Sequence, residues 1–154
     1  MTFRTESRLT IASPVDEVWA YMCDVRRWSE WAPTVLECHV RGGGPLQLGS
    51  QLDQRAKGLF GSSRSRSQRV TNVEAPNRMA FAGPLGTSAG RWGMELEAID
   101  DRQTDTMMWV EVDFAGIMHA IPAGAFKRRV QRVSDLEMVL IKAALEPAMS
   151  KATS

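Results

Sequence analysis

The chain has 154 residues, enough for one domain with a substantial hydrophobic core. Its 44% hydrophobic and 24% charged content is ordinary for a globular protein. A formal net charge of +1 excludes the broad field that draws a protein to nucleic acid or to an anionic membrane. The two cysteines, Cys23 and Cys38, show no Cys-x-x-Cys or Cys/His metal spacing, so two buried reduced thiols are expected, with no metal site. The first residues lack the apolar core of a signal peptide. No run reaches the ~18 to 20 apolar residues of a membrane span. The stretch 138–145 is interrupted by Lys142, and 115–126 by His119 and Pro122. A single domain over 1–154, soluble and cytoplasmic, is the expectation.

Residues 2–12 alternate, with Phe3, Thr5, Ser7, Leu9 and Ile11 against Arg4, Glu6, Arg8 and Thr10, which predicts a first strand. The segment 13–33 then reads as a short, broken helical pair. Ser13 is placed to cap it, Pro14 suits the first helical position, and Asp16 and Glu17 lie at the positive end of the helix dipole. Val15, Val18, Trp19 and Met22 form one apolar face. Asp24 and Ser29 allow a break and restart, and Pro33 ends the segment after Trp28 and Trp31.

A second strand is expected over 34–41, with Leu36, Cys38 and Val40 inside and Glu37, His39 and Arg41 outside. Gly42 to Pro45 is a turn. Further strands follow at 49–58, 66–73 and 78–82, separated by a loop at 59–65 and a turn at Ala75 to Asn77. Two long strands come next. Trp92, Met94, Leu96 and Ala98 share one face of the first, opposite Glu95, Glu97 and Ile99. Met108, Val110, Val112 and Phe114 share one face of the second, opposite Met107, Trp109, Glu111 and Asp113. After a loop at 116–124 the period changes. Phe126, Val130, Val133, Leu136 or Glu137, Leu140 and Ala144 recur every three or four residues, so 125–146 reads as one long helix, with Pro147 against its continuation. Six consecutive strands with short turns make an antiparallel meander, giving an α+β fold of about seven strands.

The run Ile11-Ala12-Ser13-Pro14-Val15-Asp16-Glu17-Val18-Trp19, followed by Asp24, Trp28, Trp31 and Pro33, resembles the START-like (SRPBCC) superfamily, and within it the polyketide cyclase/dehydrase and lipid-transport group. Gly49, the segment VTNVEAP from Val70 to Pro76, and the terminal helix also fall where that family would place them. The resemblance implies a helix-grip fold: a bent antiparallel sheet wrapped around a long C-terminal helix, with two short helices after the first strand. It implies an internal cavity for a hydrophobic or amphipathic small molecule, such as a lipid or polyketide. Family members range from carriers to aromatase/cyclases and partner-binding modules, so the fold alone does not choose among them.

Trp92, Met94, Leu96, Met108, Val110, Val112, Phe114, Phe126, Val130 and Val133 are the expected ligand-binding lining, and the nine methionines suit adaptable apolar walls. The same side chains would equally fill a solid core. Candidates for acid/base work are weak. His119 lies in the loop before the long helix, where a gate or proton-transfer group could sit. Arg69 and Glu95 would qualify only if they faced inward. His39 belongs with the outer, solvated side chains. The pairs Glu95/Glu97 and Glu111/Asp113 are expected outside too, unless the register slips by one residue. Arg64, Arg66 and Arg69, and the group Lys127, Arg128, Arg129 and Arg132, are expected to be solvated. The second group opposes the helix dipole, a cost an anion at the cavity mouth would offset.

The reading is therefore binding of a hydrophobic small molecule, without cofactor, nucleic acid or stable membrane insertion, and with a homodimer open. An aromatase/cyclase-dehydratase enzyme is the alternative. A non-catalytic interaction module, marked by an apolar patch around Trp109, is the third.

Overall fold

A computed structural model describes residues 2–57, 62–85, 88–113 and 122–146. Seven antiparallel strands form one sheet: β1 (Thr2–Ile11), β2 (Val35–Val40), β3 (Gln51–Lys57), β4 (Ser63–Glu74), β5 (Arg78–Leu85), β6 (Ser88–Asp100) and β7 (Gln103–Asp113). Their order is β1-β7-β6-β5-β4-β3-β2, a meander whose first strand crosses over to pair with the last. Two short helices, α1 (Val15–Cys23) and α2 (Trp28–Trp31), follow β1, with a single 3-10 turn at Val25–Arg27 between them. The long helix α3 (Ala123–Leu145) closes the described chain. This is the expected α+β architecture.

The start of α1 departs in detail from the expected cap. Pro14, not Ser13, occupies the cap position, and no side chain caps the helix. The Ser13 hydroxyl instead donates to Glu17 Oε2 at 3.0 Å, while the Ser13 carbonyl accepts from Thr104 Oγ1 at 2.8 Å. The chain is thereby stitched to β7 at the strand-to-helix corner. Further on, Trp28 donates its indole N–H to the Met22 carbonyl at 2.8 Å, folding the second helical piece back on the first.

Trp28 is the hub of the core. Its ring meets Trp31 at 5.8 Å, Phe81 at 5.2 Å and Trp92 at 5.2 Å, all edge to face, and Phe81 stacks on Trp92 at 4.3 Å. Burial of rings this size stabilises by about 4 to 6 kcal/mol each at ~25 cal/mol per Å². The pairing geometry adds about 1 kcal/mol. Area removed from water, not ring orientation, is the larger effect.

Helix α3 lies along β1. Ser7 donates to Asp135 at 2.6 Å, Gln131 to the Glu6 carbonyl at 2.9 Å, and Lys142 to the Thr10 carbonyl at 3.0 Å. The Ala12 N–H donates to Glu146 at 2.8 Å, and Phe3 meets Phe126 edge to face at 5.8 Å. The helix makes its main backbone approaches to β1, β7 and α2.

The long strands keep the expected register. Trp92 pairs with Val110 and Met94 with Met108 on the inner face, and Gly93 pairs with Trp109 on the outer. On that outer face Glu95 lies 3.8 Å from Arg78, and Glu111 accepts from Arg4 at 2.9 Å and Arg91 at 2.8 Å. Trp109 is covered by the Arg4 guanidinium at 4.8 Å from its ring centroid. It is half-buried. Leu36 corrects the expected face of β2. A bulge between Val35 and Glu37 turns Val35 inward and leaves Leu36 exposed.

Trp109 lies where Gly93 has no side chain, and a Cβ there would meet its ring at 2.7 Å and the Met79 carbonyl at 2.6 Å. Gly93→Ala is therefore expected to destabilise the protein by about 2 kcal/mol in urea unfolding. A neutral result would contradict this packing.

Candidate functional site

The inner face of the sheet is mainly apolar on one side and mixed apolar and polar on the other. Toward β5–β7 it carries Met79, Phe81, Met94, Leu96, Met108, Val110 and Val112, all buried. Of the expected lining, Trp92, Met94, Leu96, Met108, Val110 and Val112 share this face. Phe126, Val130 and Val133 are half-buried on α3. Phe114 lies outside the described residues, as does His119.

Toward β2–β4 the same face carries buried Val35, Leu52, Ala56 and Val70, and among them Cys38, Gln54, Arg66 and Gln68. Cross-strand pairing places Cys38 beside Gln54 and Gln54 beside Arg66. The Arg66 Nε–H donates to Gln54 Oε1 at 2.7 Å. Gln68 accepts from the Trp92 indole N–H at 2.9 Å, which joins the polar side to the aromatic cluster. The fifth member comes from α3, where Glu137 reaches into the interior close enough to interact with the Arg66 charge.

The sequence left Leu136 and Glu137 as alternatives for one inner helical position. Docking of α3 on β1 decides it. Ser134, Met138 and Ile141 are buried, Glu137 shares their side of the helix, and Leu136 is 48% exposed. Ala144, expected inside, is exposed. The helix also begins earlier than the pattern indicated, at Ala123.

Arg66 corrects the expectation of a solvated arginine group. The serine/arginine alternation of β4 gave no apolar signal, but its register against Leu52 and Gln54 of β3 turns Arg66 and Gln68 inward. Arg69 is exposed on the other face, and Glu95 faces outward beside Arg78. Neither can act inside the fold. His39 is outside as expected, 3.8 Å from Asp53, which also binds Arg41 at 2.6 Å.

The electrostatics follow from enclosure. Burial pushes the Glu137 carboxyl up to about 8, and the nearby Arg66 charge only partly opposes this. Burial likewise lowers Arg66 from its usual range. Among the described residues no direct ion pair joins the two. Glu137 is half-buried, with protein packed closely around its carboxyl. The thiols are inert at neutral pH, because burial pushes Cys23 up to about 12 and Cys38 up to about 11. Buried Thr5 Oγ1, Thr106 Oγ1 and Trp31 Nε1 have no partner among the described residues.

A family model described as polyketide cyclase / dehydrase and lipid transport matches residues 2–146. The chain belongs to this family. No curated protein matches it. Among solved structures, the chain is similar to a START superfamily protein from Mycobacterium smegmatis, with a TM-score of 0.74 and 12% identity over 93% of this chain and 97% of that one. It is also similar to the Zhui aromatase/cyclase from Streptomyces, with a TM-score of 0.73 and 17% identity over 99% and 98% of the two chains. A major latex-like protein from Panax ginseng superposes with a TM-score of 0.68 and 10% identity over 95% and 99%. At these identities the likeness is one of fold. Among the described residues no cluster of side chains is arranged to hold a metal ion, and no helix is long and apolar enough to cross a membrane.

Glu137 gives the domain a pH dependence of stability. Below about 4.5, its ordinary value, the carboxyl is protonated folded and unfolded alike. Between about 4.5 and about 8 the unfolded chain releases the proton and the folded chain keeps it, so stability falls as pH rises through that window. Glu137→Gln is expected to match the parent protein at the acid end and to exceed it by about 5 kcal/mol above pH ~8 in urea unfolding, at ~1.4 kcal/mol per pH unit of that window. Parallel pH profiles would contradict the burial of this group.

Proposed function

We propose that this domain binds an amphipathic small molecule between the sheet and α3, with its apolar body against the Trp92, Phe81 and Met108 side and its polar end at Arg66 and Glu137. The observation that carries this reading is an ionisable pair, Arg66 and Glu137, facing the interior without a direct ion pair between its members. An isolated buried charge costs several kcal/mol unless something completes its hydrogen bonding. A bound polar group would do so, while burial of an apolar body supplies about 25 cal/mol per Å². The family's lipid-transport and cyclase members support the same general use of the fold.

A cyclase-type enzyme is the second reading, and one observation favours it. A carboxyl that holds its proton to about 8 is poised to exchange it near neutral pH, as a general acid/base must. The interaction-module reading has less support, because Trp109 is covered by Arg4.

The test is native mass spectrometry of freshly purified protein, followed by extraction of whatever co-purifies and by titration with a neutral apolar fluorophore. One apolar molecule or one fluorophore per chain, with quenching of tryptophan emission, is the expected result. Folded protein that takes up neither would overturn the binding reading.

A further inference from the structure

The polar side of the interior also specifies what kind of end group a ligand should carry, an inference that rests on the binding reading above. Arg66 is held by Gln54 through Nε at 2.7 Å, which leaves its two terminal nitrogens as a planar pair of donors. No protein carboxylate takes them: among the described residues Arg66 forms no ion pair. On the inner faces of β1, β5, β6 and β7, the described residues carry no charged side chain. From β2 the group facing the pair is the Cys38 thiol, from β3 the neutral Gln54, and from β4 Arg64, two residues before Arg66 and exposed. Glu137 is the facing group from α3.

We propose that the ligand of this domain is an apolar molecule ending in a carboxylate, seated with its oxygens between the Arg66 guanidinium and the Glu137 carboxyl. The charge balance of the enclosed site supports this. Glu137 keeps its proton to about 8 and Cys38 to about 11, and among the described residues these are the two acidic groups that act on the Arg66 charge, so at neutral pH neither offsets it. A bound carboxylate would supply an offsetting anion. The Arg66 fork would donate to it, and the protonated Glu137 would donate its O–H to the remaining lone pairs. An ester or alcohol of the same length would bury the same apolar area but bring no charge.

The same arrangement couples binding to pH. A carboxylate beside Glu137 holds its proton more tightly, so affinity is flat at neutral pH and falls as pH rises above about 8, where the free protein loses that proton. The fall is about tenfold per pH unit until the bound-state value is reached.

The experiment is displacement of N-phenylnaphthylamine from the intact chain by laurate and by methyl laurate. At pH 7 laurate is expected to bind at least about tenfold more tightly than its ester. Arg66→Gln is expected to erase that preference while still binding both. Glu137→Gln, which retains a donor, is expected to keep the preference and lose the decline above pH ~8. The acid-to-ester ratio is read on the parent protein, so it does not depend on either variant folding. Equal displacement by acid and ester would overturn the carboxylate proposal and leave apolar binding standing. Uptake of neither the fluorophore nor laurate would overturn both.

Discussion

Docking of α3 along β1 is the constraint on which the rest of the molecule depends. Three side-chain hydrogen bonds from or to α3, at Asp135, Gln131 and Lys142, tie the helix to Ser7, Glu6 and Thr10 of one edge strand. Its main backbone approaches are to β1, β7 and α2, and the Glu137 side chain interacts electrostatically with Arg66 of β4. Rotating α3 by a single residue would exchange Glu137 for Leu136 at the inner position. The chemistry of the site is thus set by helix orientation, and helix orientation is set at the edge of the sheet.

Two halves of the interior divide the work. Trp28, Phe81 and Trp92 make a rigid aromatic wall whose burial accounts for several kcal/mol per ring. Cys38, Gln54, Arg66 and Glu137 offer donors and a held proton. Gln68, hydrogen-bonded to Trp92, joins the halves and fixes one ring against the polar side. By contrast, the many ion pairs on the outer face, such as Arg78 with Glu95, are exposed and each contributes at most about 1 kcal/mol.

Much of the fold was legible in the sequence. Alternation in β1, β6 and β7 follows an inner and an outer face, so Glu95, Glu97 and Trp109 were assignable to the outside from the sequence, although outward-facing Met107 is also buried. The broken helical pair was marked by Asp24 and by tryptophans at fixed spacing. The polar half of the site was not legible, for a physical reason. Hydropathy patterns assume that inner positions are apolar, and Arg66, Gln68 and Glu137 violate that assumption. The Ser-Arg alternation of 63–69 was a period-2 signal written in polar residues, with Arg66 on the inner side and Arg69 on the outer. At Leu136 and Glu137 hydrophobicity favoured the wrong member of the pair. Bulges at Val35 and at Val70 shifted faces in a way that composition does not mark.

The central claim is that Glu137 faces an enclosed interior rather than bulk water, and carboxyl-carbon NMR titration of that one residue tests it most directly. The account predicts a midpoint near 8, carried by burial against the partial opposition of Arg66. A midpoint near 4.5, the ordinary value, would mean that the carboxyl is solvated and that the polar half of the site does not exist as described.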